Sequence, residues 1–342
     1  MVELLFLAVV FIASWALVAR FRAYALGKGL LDNPNARSSH TVATPRGGGM
    51  VFVAVWSVSA LAVIVLDMWS STQALVVLPA ALLIAVVGYW DDHHHLAARW
   101  RALTHFVAAS ISIMALGGFN IIDLGVTALS LGVLGSLLAV IGIVWSVNLF
   151  NFMDGTDGIA GVEAVFVFGV GGLMLWQAGG APLALMAWAL MAAVLGFLVW
   201  NWPRARIFMG DGGSGFLGLA IAVFALAGET WFDVPAMLWL ILYGVFWFDA
   251  TVTLLRRVAH GERWYDAHRS HAYQRLHHGM GWSHAQVLAG VIIINTLLAA
   301  IALWADSDRV MIPWALLIAV ILLATAYLAV ERGASMYADP AS

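Results

Sequence analysis

The chain contains no cysteine, so neither a disulfide nor a thiolate metal site can form. Charge is scarce: only 10% of the 342 residues are Asp, Glu, Lys or Arg. A soluble domain carries about 25%. Together with 63% hydrophobic residues and a mean hydropathy of +0.93, this excludes a soluble globular protein and defines an integral membrane protein. A basic leader is missing as well, since the chain opens Met1-Val2-Glu3 before its first apolar run. That run is therefore expected to stay as a first helix and not to be removed as a signal peptide. No internal repeat is visible, and the formal net charge of -3 is uninformative.

What the chain has instead is long apolar runs. A bilayer core needs about 20 apolar residues per helix. Runs at roughly 2–19, 47–66, 73–90, 102–117, 129–149, 159–176, 182–200, 215–228, 235–255, 285–304 and 310–330 predict an all-α bundle of about eleven transmembrane helices. Helices in lipid bury against one another, so one domain over 1–342 is expected. Its loops at 20–46, 90–101, 150–158, 201–214 and 256–284 would carry the chemistry. Basic residues test this count. Arg20, Arg22, Lys28, Arg37 and Arg46, then Arg99 and Arg101, then Arg204 and Arg206, then Arg256 to Arg275, and finally Arg332 all fall in alternate connections. The other connections carry only Arg309. The positive-inside rule then places the N-terminus in the periplasm and the C-terminus in the cytoplasm.

Nearly every unusual residue falls on the cytoplasmic side. In Asn148-Leu-Phe-Asn151-Phe-Met-Asp154-Gly-Thr-Asp157-Gly158, amides and carboxylates recur every third residue between two apolar runs. Carboxylates beside a bilayer are costly and usually mark a site. Residues three apart drift by about 60° round a helix, so Asn148, Asn151 and Asp154 share a broad face. Asp157 needs a break at Gly155. Adjacent Asp91 and Asp92, in Gly88-Tyr-Trp-Asp-Asp-His-His-His95, repel unless a cation or proton accompanies them. A Mg²⁺ ion commonly takes one or two carboxylates plus substrate phosphates; the alternative is a solvated helix cap. The three consecutive histidines do not converge on one zinc ion.

Ile207-Phe-Met-Gly210-Asp211-Gly-Gly-Ser-Gly215 is expected to form a glycine nest between two helices, its backbone N–H groups suited to phosphate and Asp211 to a metal. A glycine-rich turn capped by Asp is the plainer reading. The first loop, Asp32 to Gly49, holds Arg37, Ser38, Ser39, His40 and Arg46 before a glycine run that opens a helix, which fits an anion pocket. The loop 256–284 offers arginines and His268, His271, His277 and His278 to a charged soluble substrate. Asp249 either contacts the site or forms an ion pair. Gathered on one face of a bundle, these motifs favour metal-dependent transfer of a phosphoryl-type group between a soluble donor and a lipid. The rivals are a flippase or other transporter of a lipid-linked substrate, with polar residues near the midplane, and a CDP-alcohol-type phosphotransferase, with a denser acid cluster.

The segments DNPNARSSH…TPRGGG, GYWDDHHHLAARWRAL, NLFNFMDGTDGIAG, FMGDGGSGFLG and HRSHAYQRL resemble the polyprenyl-phosphate N-acetylhexosamine-1-phosphate transferases, the glycosyltransferase family that includes the phospho-MurNAc-pentapeptide translocase. The first and last segments are most similar to the bacterial branch that initiates O-antigen and related surface glycans. The resemblance implies transfer of an N-acetyl sugar 1-phosphate from a UDP-sugar to undecaprenyl phosphate with release of UMP, using Mg²⁺ or Mn²⁺. It implies a site facing the cytoplasm of the bacterial inner membrane. It puts catalytic roles on Asp91, Asp92, Asp154 and Asp157, the metal on Asp211 and Asp154, and substrate contacts on Arg37, Ser39, His40, Arg46, Asn148, Asn151, His268 and His271. Where the family commonly has glutamine after its paired aspartates, this chain has His105. Membrane lipid is an expected partner, nucleic acid is not, and a homodimer is left open.

Overall fold

Each of the eleven apolar runs contains a helix in the computed structural model, which describes residues 1–34, 42–65, 71–94, 96–263 and 268–337, with backbone alone at 71–77. The helices are α1 (Val2–Lys28), α2 (Gly49–Val65), α3 (Ser71–His94), α4 (Ala98–Leu116), α5 (Val133–Met153), α6 (Ile159–Gln177), α7 (Ala181–Asn201), α8 (Asp211–Phe232), α9 (Ala236–Leu242), α10 (Gly244–Ala259), α11 (Ala272–His278), α12 (His284–Ser307) and α13 (Ile312–Gly333). Among the described residues, seven helices are long and apolar enough to cross a membrane: α1, α5, α6, α7, α8, α12 and α13 with the turn before it. The pair α9–α10 makes an eighth if counted as one span. Two short antiparallel ladders accompany them, β1 (Leu31–Asp32) with β2 (Thr44–Pro45) and β3 (Ile121–Asp123) with β4 (Ala128–Ser130).

The expected continuous span at 235–255 is corrected. It breaks between Leu242 and Gly244, and the two pieces meet at 79°. Gly244 opens α10 at the bend. A Cβ there would lie 2.9 Å from side-chain atoms of Leu298 on α12 and Leu323 on α13, so the bend seats the backbone directly against two neighbours. Hydropathy sums residues along the chain and is blind to such a turn.

Burial separates inner from outer helices. In the apolar windows of α6, α7 and α8, 67%, 72% and 61% of residues are buried, against 17% in α1 and 28% in α13. The interior holds Trp56, Phe150, Phe168, Phe197, Phe216, Phe224, Trp239 and Phe246. Leu, Ile and Val remain exposed along α1, α5 and α13, as a lipid-facing surface requires.

The glycines of Asp211–Gly215 do not form a nest; they are the first turn of α8. Small residues let membrane helices approach closely. A Cβ on Gly213 would lie 2.7 Å from the Cα of Gly49 on α2, and one on Gly212 would lie 2.8 Å from the carbonyl oxygen of Ala85 on α3. One turn later, Gly218 meets the carbonyl oxygen of Ser146 on α5 in the same way, at 2.5 Å. So the motif packs α8 against three helices, and its N-terminus is carried to the place where they end.

Candidate active site

Three backbone hydrogen bonds bring the first loop to that N-terminus. Phe208 N–H donates to Pro45 at 2.8 Å, Gly48 N–H to Phe208 at 2.9 Å and Gly49 N–H to Met209 at 2.9 Å. Arg46 is thereby held beside Asp211. Its Nη2 lies 2.5 Å from Asp211 and 2.7 Å from Asp92, so one guanidinium nitrogen bridges two carboxylates from different helices. Asp92 also accepts the backbone N–H of Asp211 on both oxygens, at 3.1 and 3.0 Å. The first N–H groups of a helix have no partner of their own, and a carboxylate there is favoured by the helix dipole. Gly210, with φ +81°, turns the chain into α8 at this point; a Cβ on it would lie 2.6 Å from Asp92.

The end of α5 completes the site. Asn151 donates to the Ser214 hydroxyl at 3.0 Å, which ties α5 to α8. Asp154 follows as the C-cap, and the chain then turns into α6 through Gly158. Asn201, at the end of α7, fastens this turn by accepting Gly158 N–H at 3.0 Å and donating to Ile207 at 2.9 Å. Asp157 accepts the N–H of Ala205 at 3.0 Å and sits 3.0 Å from the His284 ring. Asp32, Arg46, Asn151, Asp154, Asp157, Asn201, Asp211, Gln274 and His278 line one cavity of about 210 Å³.

Its electrostatics are acidic. Burial alone would lower the Arg46 pKa, yet Asp211 and Asp92 outweigh it and hold the guanidinium above its usual range. Burial pushes Asp154 well above the ordinary carboxylate range; Arg46 opposes this, while Asp211, Asp92 and Asp157 add to it. Carboxylates thus outnumber the cation between them. The donors are all hard oxygens, the set that suits Mg²⁺ or Mn²⁺. The residues therefore fit a divalent ion in kind. Among the described residues, no three acidic or imidazole groups are already grouped as ligands, and Arg46 stands between Asp92 and Asp211.

Several expectations are corrected. Asp91 and Asp92 do not act as a pair. Consecutive helix residues point about 100° apart, and the two find different partners: Asp91 accepts from Leu96 N–H at 2.6 Å and Arg101 at 3.0 Å, while Asp92 pairs with Arg46 and the start of α8. Asn148 also lies outside the lining, donating to Val144 at 2.7 Å and meeting the His105 ring at 3.3 Å. His271 is buried, 3.5 Å from Asp249, and starts α11 in a capping box with Gln274. Its ring centroid is 4.8 Å from that of His268, and neither histidine lines the cavity. In place of a substrate contact, Asp249 accepts Ala272 N–H at 2.9 Å and anchors α11. The arginines of the last loop are largely committed. Arg256 and Arg275 each pair with Glu331 at 2.5 Å, and Arg257 pairs with Glu262 at 2.7 Å. Arg37, Ser39 and His40 lie outside the described residues.

Sequence reading missed Asn201, Gln274 and His284, and it left Asp32 unassigned; of the four histidines it offered from the last loop, His278 alone is in the lining. Gln274 had a signal, because it stands three residues after the residue that starts α11, in capping-box position. Asn201 had only its place at the end of an apolar run.

A polytopic helical membrane protein with an acidic, arginine-bridged cavity at the meeting point of α3, α5 and α8 is the class that fold and site define. Residues 74–229 match the model of glycosyl transferase family 4. Over 287 residues the chain is 29% identical to a probable undecaprenyl-phosphate N-acetylglucosaminyl 1-phosphate transferase of Bacillus subtilis, covering 82% of this chain and 78% of the relative. It is 28% identical over 327 residues to the undecaprenyl-phosphate alpha-N-acetylglucosaminyl 1-phosphate transferase of Yersinia pestis, covering 92% and 87%. Against the Escherichia coli K12 protein of the same name it is 27% identical over 313 residues, covering 88% and 83%. The resemblance carried by the motifs is borne out as a similarity to these transferases over most of the chain.

Proposed function

We propose that the protein transfers an N-acetyl sugar 1-phosphate from a UDP-sugar to undecaprenyl phosphate, at the cytoplasmic face of a bacterial inner membrane. The products are undecaprenyl-diphospho-sugar and UMP. In this reading the step opens a surface glycan such as O-antigen. The observation that carries it is the Asp92–Arg46–Asp211 bridge, whose Arg46 and Asp211 line one cavity with Asp154, in a chain whose relatives are named for this reaction. A flippase has no need of this cluster, and the relatives' names favour transfer over a CDP-alcohol reaction.

An oxygen of the lipid phosphate attacks the β-phosphorus of the donor. The bond from that phosphorus to the bridging oxygen breaks, and UMP leaves with the electron pair. Such transfer is mainly positioning and charge neutralisation. A phosphate with a second pKa of about 6 is already largely the dianion at neutral pH and needs little general-base help. Arg46 binds phosphate oxygens by charge-assisted hydrogen bonds. Asp92 orients Arg46 and the start of α8. Asp211 and Asp154 would hold the divalent ion, with Asp157 and Asn151 shaping the turn beside it. When bound, the ion supplies charge neutralisation on the diphosphate. We assign Asp91 to the helix turn and not to the acceptor.

Purified protein with undecaprenyl phosphate, Mg²⁺ and a panel of UDP-sugars should release UMP with one or a few N-acetyl sugars. Absence of UMP across the panel overturns the reading. Asp211→Asn should express normally and not turn over; near-normal turnover contradicts the metal role.

A further inference from the structure

The last helix ends in a polar knot that reaches back to the candidate active site. Its hub is Glu331, in the final turn of α13. The Glu331 Oε2 accepts Arg256 of α10 and Arg275 of α11, each at 2.5 Å, and its Oε1 accepts a second Arg256 nitrogen at 2.9 Å. The Ser335 hydroxyl and the Met336 N–H also donate to Oε1, at 3.0 and 3.1 Å, which folds the chain after α13 back over the carboxylate.

Arg275 depends on this hub. It is buried, and its Nη1 donates both to Glu331 and to the Ala334 carbonyl, the latter at 2.9 Å. Among the described residues, its Nε and Nη2 meet no acceptor. A buried cation stripped of its carboxylate is costly. Shape adds to charge at the same place: a Cβ on Gly279, the C-cap of α11, would lie 2.7 Å from the Ala334 Cβ.

With seven residues, α11 is too short to persist without packing. Asp249 pins its start through Ala272 N–H, and Glu331 pins its end through Arg275. Between the two pins, Tyr273 donates its hydroxyl to the Phe152 carbonyl at 3.0 Å, beside Asp154. Gln274 and His278 of α11 line the cavity, whereas Glu331 does not.

We propose that Glu331 is a positioning residue: together with the turn that follows α13, it clamps the end of α11 through Arg275 and so keeps Gln274 and His278 at the cavity. Only the activity arm of the test rests on the transferase reading. Hydrogen exchange is measured in nanodisc-embedded full-length protein for wild type, Glu331→Gln, Glu331→Asp and Arg332→Gln. Glu331→Gln should speed exchange selectively at 272–278, by about tenfold or more, the effect of lost charge-assisted hydrogen bonds. Glu331→Asp keeps the charge and should lie between. Arg332 is exposed, and Arg332→Gln should match wild type. UMP release should fall in Glu331→Gln and recover in part in Glu331→Asp. Because the loss runs through α11, adding Glu331→Gln to Gln274→Ala should lower UMP release little further. Unchanged exchange at 272–278 in Glu331→Gln, a rise spread evenly over all helices, or fully additive losses overturn the proposal. If Glu331→Gln does not accumulate as a monodisperse protein, a chain ended after Gly333 decides by the same criteria, since it loses the Ala334 carbonyl and the turn. Selective exchange without UMP release from the wild type would leave the clamp standing and count against the transferase reading alone.

Discussion

The Asp92 carboxylate on α3 receives the backbone N–H of Asp211 on both oxygens, at 3.1 and 3.0 Å, so a residue far away in sequence caps the helix that opens the candidate active site. Removing a side-chain cap costs about 0.5–2 kcal/mol. Asp92→Ala should therefore lower the thermal midpoint and also abolish transfer. Asp92→Asn, which keeps one acceptor, should recover most of the stability and little of the activity. A wild-type midpoint for Asp92→Ala, read by thermal unfolding in detergent, would remove the cap from the account.

Arg46 bridges Asp92 and Asp211 through one nitrogen. Without it, two neighbouring carboxylates face each other and a phosphate loses its guanidinium. We expect Arg46→Ala to lose transfer by at least about 100-fold, on the scale of a lost charge-assisted phosphate contact. Arg46→Lys should retain part of the rate, because charge survives while the planar geometry does not. Steady-state UMP release with varied donor separates the two, and an unimpaired Arg46→Ala would be decisive against the bridge.

Gly88 tests whether α3 and α8 must touch. A Cβ there would lie 2.7 Å from the Asp211 carbonyl group and from the Cα of Gly212. Backbone cannot give way as a side chain can, so Gly88→Ala should destabilise by about 1–3 kcal/mol and displace Asp92. Gly142, with nothing within 4 Å of its Cβ position, is the control. Gly142→Ala should be neutral or slightly stabilising.

His268 gives a pH signature. Burial, then the neighbouring His271 and Arg257, lower its pKa from 6.5 to about 4. Between these values the unfolded chain takes up a proton that the folded chain refuses. Stability contributed by the neutral ring is thus full above pH 6.5 and is lost as pH falls towards about 4. His268→Gln should flatten that part of the curve of midpoint against pH. An acid limb identical to wild type would mean that the ring does not titrate in this way.

Much of the site was legible in the residues themselves. Carboxylates interrupting apolar sequence at Asp92, Asp154, Asp157 and Asp211 stood out because lipid makes them costly; the last three line one cavity, and Asp92 is joined to it through Arg46. Arg46 was legible for the same reason. Asp91 and Asn148 were not separable from them, because a motif shows spacing and not the direction a side chain takes. The glycines after Asp211 were misread as a phosphate nest because a missing Cβ serves a turn and a close helix crossing equally well. His271 carried a chemical signal that the fold spends on capping α11.

The sequence by itself determined the class of the molecule, because burial in lipid is a local matter of composition summed over each run. It also determined which residue types had to find partners. Only the tertiary structure decided which partners they found: Asp92 with the start of α8, Asn201 with the turn before α6, Glu163 with Asn295 of α12. Each of these joins residues many tens of positions apart, and their meeting depends on how whole helices lean on one another, which no single stretch of chain encodes.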